Sequence, residues 1–460
     1  MPRRHIVIGG GPAGIFAIET IRDLAPDDKI ILISDEPAYS RMVLPYFMAG
    51  EIPEEHVLTG KDHYFERLGV KTVLNRVGAV DPKGKKLTLA DRSIIPFDTL
   101  LIATGSSPLK VDLPGATGRG ISNLWTLDDA RSILSRIRGR KARVVFIGAG
   151  FIGFIVLNAL AKIGCDLSVV EMEPQILPRM LDRRSAELAT TWLGEKEIAC
   201  PVGVRATEIG DRAGQKVVTL SDGRILACDL VVIAVGVKPN VDFVRGSGIR
   251  TNYGILVDDH LRTNFPDIYA AGDVAEGKDL STGQRAVHAI QPTAAEHGRV
   301  AGANMTGRSI TYPGSLSMNI LDIVGLQAAS FGLWRDDGRE TTLAENASQP
   351  LYRKLVWDGD RIVGAIFLGP AADVALLNDM GMVKGLIQTK TPLGEWKAYI
   401  QKNPTDIRRP YVASGAAAKL LDQTLVGAEA GERRYRFQDA RPTSTATPAH
   451  TVFVSTKPSE

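Results

Sequence analysis

Short apolar runs alternate with stretches of helical periodicity along most of the chain. Two of these runs, His5–Ile8 and Arg143–Ile147, lead directly into glycine-rich turns that open a helix. Strands that alternate with helices favour a parallel sheet with helices on its faces. The pattern therefore predicts an α/β protein with two Rossmann-like dinucleotide-binding domains.

The pattern changes after Pro313. Two strand-like segments, Leu351–Trp357 and Arg361–Gly369, are joined by a turn of aspartate and glycine, and Ala371–Leu386 has helical periodicity. These segments predict a small α+β domain. The final stretch, 438–460, is rich in Pro, Ser, Thr and Ala, which is typical of a tail that is disordered or ordered only on a partner.

Composition limits the class of protein. A chain of 460 residues exceeds what one hydrophobic core usually covers, so about two to three domains are expected. The 55 basic and 52 acidic residues nearly balance, and no basic block interleaved with aromatics indicates nucleic-acid binding. The apolar runs are too short for a membrane span, and a first strand at His5 leaves no place for a signal peptide. We therefore expect a cytoplasmic protein.

Each glycine-rich turn matches the GxGxxG dinucleotide fingerprint. Its first glycine makes the turn, its second lets the backbone approach a pyrophosphate, and its third lets the helix pack on the strand. The phosphates rest on the helix N-terminus. Two fingerprints predict two dinucleotides and a protein that moves electrons between them. The predicted contacts are Gly9, Gly11, Pro12, Ala13 and Gly14 in the first, and Gly148, Gly150, Phe151, Ile152 and Gly153 in the second.

A carboxylate at the end of the second strand of each unit is expected to accept hydrogen bonds from a ribose. After the strand Ile30–Ser34 both Asp35 and Glu36 are available, and their spacing does not choose between them. After Leu167–Val170 the candidate is Glu171, which would repel a 2′-phosphate and has no Arg or Lys beside it to attract one. NADH is therefore expected rather than NADPH.

The three cysteines, Cys165, Cys200 and Cys228, are scattered and form no CxxC pair. We interpret them as small apolar residues near strands. The chain is therefore expected to hold no metal or iron–sulfur cluster and to have no redox-active dithiol.

The motifs GGGPAG, IATGSSP, GAGFIG, AVGVKPN and TNFPDIYAAGDVA occur in this order. They resemble the FAD/NAD-linked pyridine nucleotide-disulfide oxidoreductase superfamily. The resemblance implies FAD and NAD(H) as cofactors, an FAD domain in two segments (1–112 and 242–312), an NAD domain between them (113–241), a C-terminal interface domain (313–405) and a tail (406–460). It also implies that the cofactor sites include Ala103, Thr104, Gly105, Gly236, Gly272 and Asp273, with Gly272 and Asp273 holding the ribityl chain and a diphosphate oxygen of FAD.

One stretch distinguishes the branch of the superfamily. Met42 stands where disulfide-reducing members carry a redox cysteine, so thiol relay chemistry is excluded at this position. The segment Pro37–Pro45 is similar instead to the Tyr-x-Arg-x-x-Leu motif of rubredoxin reductases, nitrite reductase flavin domains and oxygenase-type ferredoxin reductases. This similarity implies that Arg41 lies close to the FAD diphosphate. Such ferredoxin reductases carry a Lys–Glu pair near the flavin, and the corresponding positions here are Tyr46 and Ile155.

The resemblance further implies that a helix opening at Pro292 and Thr293 points its N-terminus at the flavin and stabilises the negative charge of its reduced form. His288 and His297 flank and lie in this helix, and we interpret them as ordinary polar residues. Hydride transfer needs stacking and distance rather than a protein base. No residue is therefore expected to be catalytic, because the flavin is the reactive centre.

Three functions fit these observations. The first is an NAD(H)-specific FAD subunit that exchanges electrons with an iron–sulfur partner, since the chain has two dinucleotide sites and no other redox group. The stretch from Tyr312 to Ile320 is similar to flavoprotein subunits of the phenylglyoxylate dehydrogenase and tungsten aldehyde oxidoreductase complexes, which implies electrons from 2-oxoacid or aldehyde oxidation. The second is a stand-alone NADH oxidase or NADH:acceptor reductase, and the third is a redox-gated regulatory protein. Each of them is compatible with a homo-oligomer.

Overall fold

The computed structural model describes residues 2–60, 63–137, 141–212, 214–346 and 348–424. The elements of the first part of the chain are β1 (Arg4–Ile8), α1 (Pro12–Leu24), β2 (Lys29–Ser34), α2 (Leu44–Met48), α3 (Tyr64–Arg67), β3 (Val70–Leu74), β4 (Val77–Asp81), β5 (Lys86–Leu89), β6 (Ile94–Pro96), β7 (Thr99–Ile102) and β8 (Ser106–Pro108).

The elements of the middle part are β9 (Ile121–Ser122), α4 (Leu127–Ile137), β10 (Arg143–Ile147), α5 (Phe151–Lys162), β11 (Asp166–Val170), α6 (Arg183–Glu195), β12 (Ala206–Arg212), β13 (Gln215–Leu220), β14 (Ile225–Cys228), β15 (Leu230–Ile233) and β16 (Val237–Pro239).

The remaining elements are β17 (Ile255–Leu256), β18 (Ile268–Ala270), β19 (Ala275–Lys278), β20 (Arg285–Ala286), α7 (Gln291–Met305), β21 (Met318–Ile323), β22 (Leu326–Gly332), β23 (Thr341–Asn346), β24 (Leu351–Asp358), β25 (Arg361–Pro370), α8 (Val374–Gln388), α9 (Trp396–Lys402), α10 (Arg408–Ala413) and α11 (Ala416–Thr424).

The first nucleotide-binding unit is a parallel sheet with strand order β18-β7-β1-β2-β3. Strands β1 and β7 consist largely of fully buried Ile, Val and Leu, as expected for strands covered on both faces. Strand β18 enters the sheet beside β7 from a distant part of the chain. The unit is therefore built from two separated segments, as the sequence predicts.

The second nucleotide-binding unit is a parallel sheet with strand order β11-β10-β15-β9. It is inserted between the two segments of the first unit. The antiparallel pair β8 and β16 connects the two units. This arrangement of two Rossmann-like sheets confirms the predicted α/β fold.

The C-terminal part is an antiparallel sheet with strand order β21-β22-β25-β24-β23. One face of it, with Leu321 and Ile366, belongs to the same core as Phe154 of α5, and the other face packs on α8. The predicted hairpin between β24 and β25 is present. Helix α8 begins at Val374, three residues later than predicted, because the Asp373 side chain accepts the amides of its first turn and caps it there.

The C-terminal fold extends beyond the expected boundary at residue 405. Helices α10 and α11 pack against α8, and Ile407 and Ala416 are buried in the same core as α8. Residues 425–460, which include most of the expected tail, lie outside the described residues. Among the helices of the described ranges, none is both long enough and apolar enough to cross a bilayer.

Candidate functional site

The first fingerprint forms the turn between β1 and α1. Gly9 has a φ of 108°, and a Cβ there would lie 2.2 Å from the Ala103 carbonyl oxygen, so glycine is required for both reasons. A Cβ on Gly14 would lie 2.1 Å from the Gly9 carbonyl oxygen, which fits its predicted packing role. At Gly11, by contrast, no described atom lies within 4 Å of the position that a Cβ would take, so the space in front of α1 is open.

The second fingerprint has the same geometry between β10 and α5. Gly148 has a φ of 102°, and a Cβ there would lie 2.6 Å from the Ala234 carbonyl oxygen. A Cβ on Gly153 would lie 2.9 Å from the Gly148 carbonyl oxygen, whereas Gly150 faces open space with its nearest atom at 3.9 Å. Phe151 and Ile152 form the first turn of α5. The structure therefore builds two turns of one design at two helix N-termini.

The N-termini of α1 and α5 suit phosphate groups. No described side chain caps either helix, and neither has an acidic residue in its first turn. Pro12 stands at the start of α1, where its missing amide costs no hydrogen bond. The free amides and the positive end of each helix dipole therefore face the open space beside Gly11 and Gly150. Both ends fit the phosphates of a dinucleotide.

The candidate ribose carboxylates differ between the units. The Gly148 amide donates to Val170 at 2.8 Å, and Glu171 follows directly, its side chain accepting the Ala149 amide at 2.7 Å. Glu171 therefore lies in contact with the fingerprint turn. In the first unit the Gly9 amide donates to the Ile33 carbonyl, so the residue that corresponds to Glu171 is Ser34. The two candidate carboxylates, Asp35 and Glu36, follow one and two residues after Ser34.

These two carboxylates have separate surroundings. Asp35 pairs at the surface with Arg76 at 3.3 Å. Glu36 accepts hydrogen bonds from the Tyr39 hydroxyl and from an Arg41 amino group, both at 2.6 Å. Glu36 therefore belongs to the cluster around Arg41, and Asp35 does not.

Helices α1 and α7 pack in parallel through glycines. A Cβ on Gly298 would lie 2.3 Å from the Ala13 carbonyl oxygen, and a Cβ on Gly302 would lie 2.7 Å from that of Ala17. From this contact α7 extends about six residues further toward its N-terminus than α1 does, which is about 9 Å. The two helix N-termini therefore lie at one end of the unit, with Pro292 and Thr293 beyond the fingerprint.

Gly272 and Asp273 lie between these two N-termini. Gly272 has a φ of 74°, and a Cβ there would lie 3.1 Å from the Ala13 Cβ and 3.5 Å from the Ala294 Cβ. Asp273 accepts a hydrogen bond from the Ser106 hydroxyl at 2.7 Å. Burial raises the pKa of Asp273, against the opposing effects of Ser106 and the Arg41 charge. The predicted contacts from the two segments of the first unit thus meet at one place.

His297 has a structural role. Its Nδ1 accepts the Gly272 amide at 3.3 Å and its Nε2 lies 3.0 Å from the Ser315 hydroxyl, so the ring bridges two loops in its neutral form. Burial lowers the pKa of His297 to about 3. His288 lies 3.0 Å from Asp279. The hydrogen bonds of His297 thus connect α7 with the two loops that contain Gly272 and Ser315.

Asn240 forms hydrogen bonds that join the two chain segments connecting the units. Its side-chain amide donates to the Thr104 carbonyl at 2.9 Å, and the Thr104 hydroxyl donates to the Asn240 carbonyl at 3.1 Å. Gly105 has a φ of 64°, and no described atom lies within 4 Å of the position of a Cβ there. Gly236 has a φ of 115° and immediately precedes the returning strand β16. These residues lie where the chain passes between the two units.

The position of the missing redox cysteine lies beside α7. Met42 is in a short 3₁₀ turn, 41–43, and the neighbouring Ser40 hydroxyl donates to the Gln291 side chain at 3.2 Å. Tyr46 and Ile155 lie on α2 and α5, which pack against each other. The two positions that the resemblance matches to a charged pair therefore lie on neighbouring helices, and both residues are uncharged.

Sequence reasoning missed several residues of these sites. Ser106 lies in the motif IATGSSP and Asn240 ends the motif AVGVKPN, so the predicted cofactor contacts beside them in sequence could have indicated them. Trp125, whose indole donates to the Ser106 carbonyl at 3.1 Å, has no such signal, because its contact depends on how the two units meet.

Comparison with known proteins agrees with this fold. A family model described as pyridine nucleotide-disulphide oxidoreductase matches residues 3–294. The epsilon subunit of NADH-dependent phenylglyoxylate dehydrogenase from Aromatoleum evansii is 30% identical over 415 residues, which are 88% of this chain and 96% of that protein. A crystal structure of a ferredoxin reductase from Rhodopseudomonas palustris is similar with a TM-score of 0.74 at 29% identity, covering 81% of this chain and 92% of that one.

Another relative is much longer than this chain. Nitrite reductase [NAD(P)H] from Bacillus subtilis is 30% identical over 378 residues, which are 81% of this chain and 46% of that protein. The chain thus spans about half the length of this relative.

Proposed function

Because the chain belongs to the pyridine nucleotide-disulphide oxidoreductase family, we propose that it is the NAD(H)-reacting subunit of a larger oxidoreductase complex. The chain is an oxidoreductase, and its cofactors are FAD and NAD(P)H. In the proposed complex it exchanges electrons with an iron–sulfur partner that oxidises a 2-oxoacid or an aldehyde. The observation that carries this proposal is the similarity, over 96% of its length, to the epsilon subunit of phenylglyoxylate dehydrogenase.

The first unit is proposed to hold FAD. The open space at Gly11 and the uncapped N-terminus of α1 fit its diphosphate, with Arg41 and Asp273 beside it. FAD, when bound, can take up a hydride from NADH and release electrons singly to an iron–sulfur centre. The N-terminus of α7 would place positive dipole charge beyond the diphosphate.

The second unit is proposed to hold NAD(H). Its fingerprint turn leaves space at Gly150, and Glu171 lies in contact with that turn. A buried carboxylate there disfavours a 2′-phosphate, which supports NADH over NADPH. We accordingly propose that 1–112 and 242–312 form the FAD domain, 113–241 the NAD domain, and 313–424 the C-terminal domain.

Affinity purification of the full chain from its native cells tests the proposal. We expect it to retain a partner with the visible absorption of iron–sulfur clusters, and we expect addition of a 2-oxoacid or aldehyde to reduce NAD. Recovery of the chain alone, with no such partner under gentle conditions, would contradict a subunit role.

A second candidate is a stand-alone reductase of a small iron–sulfur protein. It is favoured by the ferredoxin reductase of which this chain covers 92%. The purified chain would then reduce an added ferredoxin or rubredoxin from NADH at a rate that needs no further subunit. Fast turnover of NADH with oxygen as the only acceptor would instead identify an oxidase.

A further inference from the structure

Trp125 belongs to the second unit but lies against the first. It follows β9 and precedes α4, and its backbone amide donates to the Asp129 carboxylate at 2.9 Å. Its indole nitrogen donates to the Ser106 carbonyl at 3.1 Å. The hydroxyl of the same Ser106 donates to Asp273 at 2.7 Å. Trp125 is therefore held in place both through its backbone amide and through its indole nitrogen.

Arg41 lies over this ring. Its guanidinium carbon is 5.2 Å from the centroid of Trp125 and 5.8 Å from that of Tyr39, and one amino group donates to Glu36. The Nε atom of Arg41 is buried and has no hydrogen-bond partner in the described part of the chain. A buried donor without a partner is costly unless a ligand accepts from it. The charge of Arg41 also acts on Asp273 and opposes the rise of its pKa, so the guanidinium lies near the place where the predicted FAD contacts meet.

We propose that Trp125 is a positioning residue that holds Arg41 toward the FAD diphosphate, so that the second unit completes the FAD site of the first. This inference rests on the proposed assignment of Arg41 to the diphosphate. A guanidinium stacked on an indole keeps its plane and its free donors in one orientation. A bidentate or charge-assisted bond to phosphate depends on that orientation. Affinity for FAD should therefore depend on the Trp125 ring through its contact with Arg41.

The dissociation constant of FAD from the full-length chain tests this inference. Trp125→Leu should raise it about tenfold, because the loss of a partly desolvated cation–π contact changes an equilibrium by about that factor. Trp125→Phe should restore most of the affinity, since it keeps the aromatic face and loses only the indole hydrogen bond. Arg41→Ala should raise the dissociation constant further, and adding Trp125→Leu to Arg41→Ala should cause no additional loss.

Trp192 provides a matched control. Like Trp125, it lies in the second unit and has a cation over its ring, since the Lys196 Nζ is 4.5 Å from the ring centroid. Its indole nitrogen also donates to backbone carbonyls, those of Ile323 and Val324. It lies on α6, and its indole hydrogen bonds go to the turn between β21 and β22 instead of to Ser106. Trp192→Leu should leave the affinity for FAD unchanged.

The variants separate the two ways in which the inference can fail. If Arg41→Ala leaves FAD affinity unchanged, the assignment of Arg41 to the diphosphate is wrong and the role of Trp125 falls with it. If Arg41→Ala weakens binding but Trp125→Leu does not, only the positioning role is refuted. Independent, additive losses in the double variant would also refute it, because they would show that Trp125 acts through the fold and not through Arg41.

Discussion

At the scale of single residues, two carboxylates near helix N-termini have different tasks. Glu171 is buried and accepts two backbone amides, those of Ala149 and Glu173, so it shapes the fingerprint turn. Asp273 is held by a single serine hydroxyl, and burial raises its pKa. A ligand hydroxyl that donates to Asp273 would stabilise its charged form.

Asp273→Ala should lower the flavin content of the purified protein. The variant loses a charge-assisted hydrogen bond, worth about 1.5–3 kcal/mol. The ratio of flavin to protein absorbance measures the loss. Asp267→Ala is a matched control, because this acid of the same motif pairs at the surface with Lys85. Full yellow occupancy of Asp273→Ala would rule out the assignment.

Glu171→Arg should narrow the preference for NADH over NADPH. Stopped-flow bleaching of the flavin should be much faster with NADH in the native protein, because the carboxylate repels a 2′-phosphate and an arginine attracts one. Glu171→Gln removes the negative charge without adding a positive one. Its preference for NADH should therefore lie between that of the native protein and that of Glu171→Arg. Equal rates with both cofactors in the native protein would contradict this prediction.

The fingerprint residues could be predicted because their roles are local. Gly9 and Gly148 have positive φ angles in a tight turn between a strand and a helix, and a short sequence window shows this pattern. Their close contacts with Ala103 and Ala234 come from distant parts of the chain and could not be read from such a window. The cluster of Arg41 with Trp125 could not be predicted, since it joins two units whose relative placement is not encoded in any short window.

At the scale of elements, the close approach of α1 and α7 brings the two helix N-termini to one end. The contact relies on Gly298 and Gly302, which lie inside a helix, where glycine is otherwise unfavourable. Glycine is nevertheless required at both positions, because any side chain there would push α1 and α7 apart.

Gly298→Ala should destabilise the protein although alanine favours helices. Its Cβ would lie 2.3 Å from the Ala13 carbonyl oxygen, so the backbone must shift at a cost of about 1–3 kcal/mol. Thermal release of the flavin, followed together with circular dichroism, measures the effect. Gly381→Ala in α8 is the control, because that position is exposed and no described atom lies within 4 Å. Equal midpoints for both variants would contradict the account of the α1–α7 contact.

The C-terminal elements show where sequence patterns are weakest. The hairpin of β24 and β25 has long apolar runs and an Asp-Gly-Asp turn, and it was predicted within a residue or two. Helices α10 and α11 were not predicted. They are short, and among their side chains that the structure describes only Pro410 and Ala416 are buried, so their periodicity is faint.

At the scale of the whole molecule, we expect electron transfer to proceed without thiol chemistry. Burial raises the pKa of Cys200 to about 12 and that of Cys228 to about 11, which keeps both thiols protonated and unreactive at neutral pH. Alkylating the native protein, or replacing Cys165, Cys200 and Cys228 together, should leave NADH-to-dye electron transfer intact. Loss of turnover with an unchanged circular dichroism spectrum would restore a disulfide-type mechanism.

The two Rossmann-like units were predictable because each of them begins with the same strand–turn–helix design. The electron partner is a different matter, because a partner surface has no periodicity that a single sequence reveals. The proposed iron–sulfur partner is therefore supported by the similarity to the epsilon subunit, and not by the geometry of the two fingerprint turns.

The most direct test is an anaerobic titration of the native complex with NADH, followed by visible absorption. The account predicts that flavin and iron–sulfur bands bleach together, and that the partner's 2-oxoacid or aldehyde substrate, added with NAD, produces NADH. If NADH bleaches only the flavin while the clusters of a co-purified partner stay oxidised, the chain is not the NAD(H)-reacting subunit of that complex.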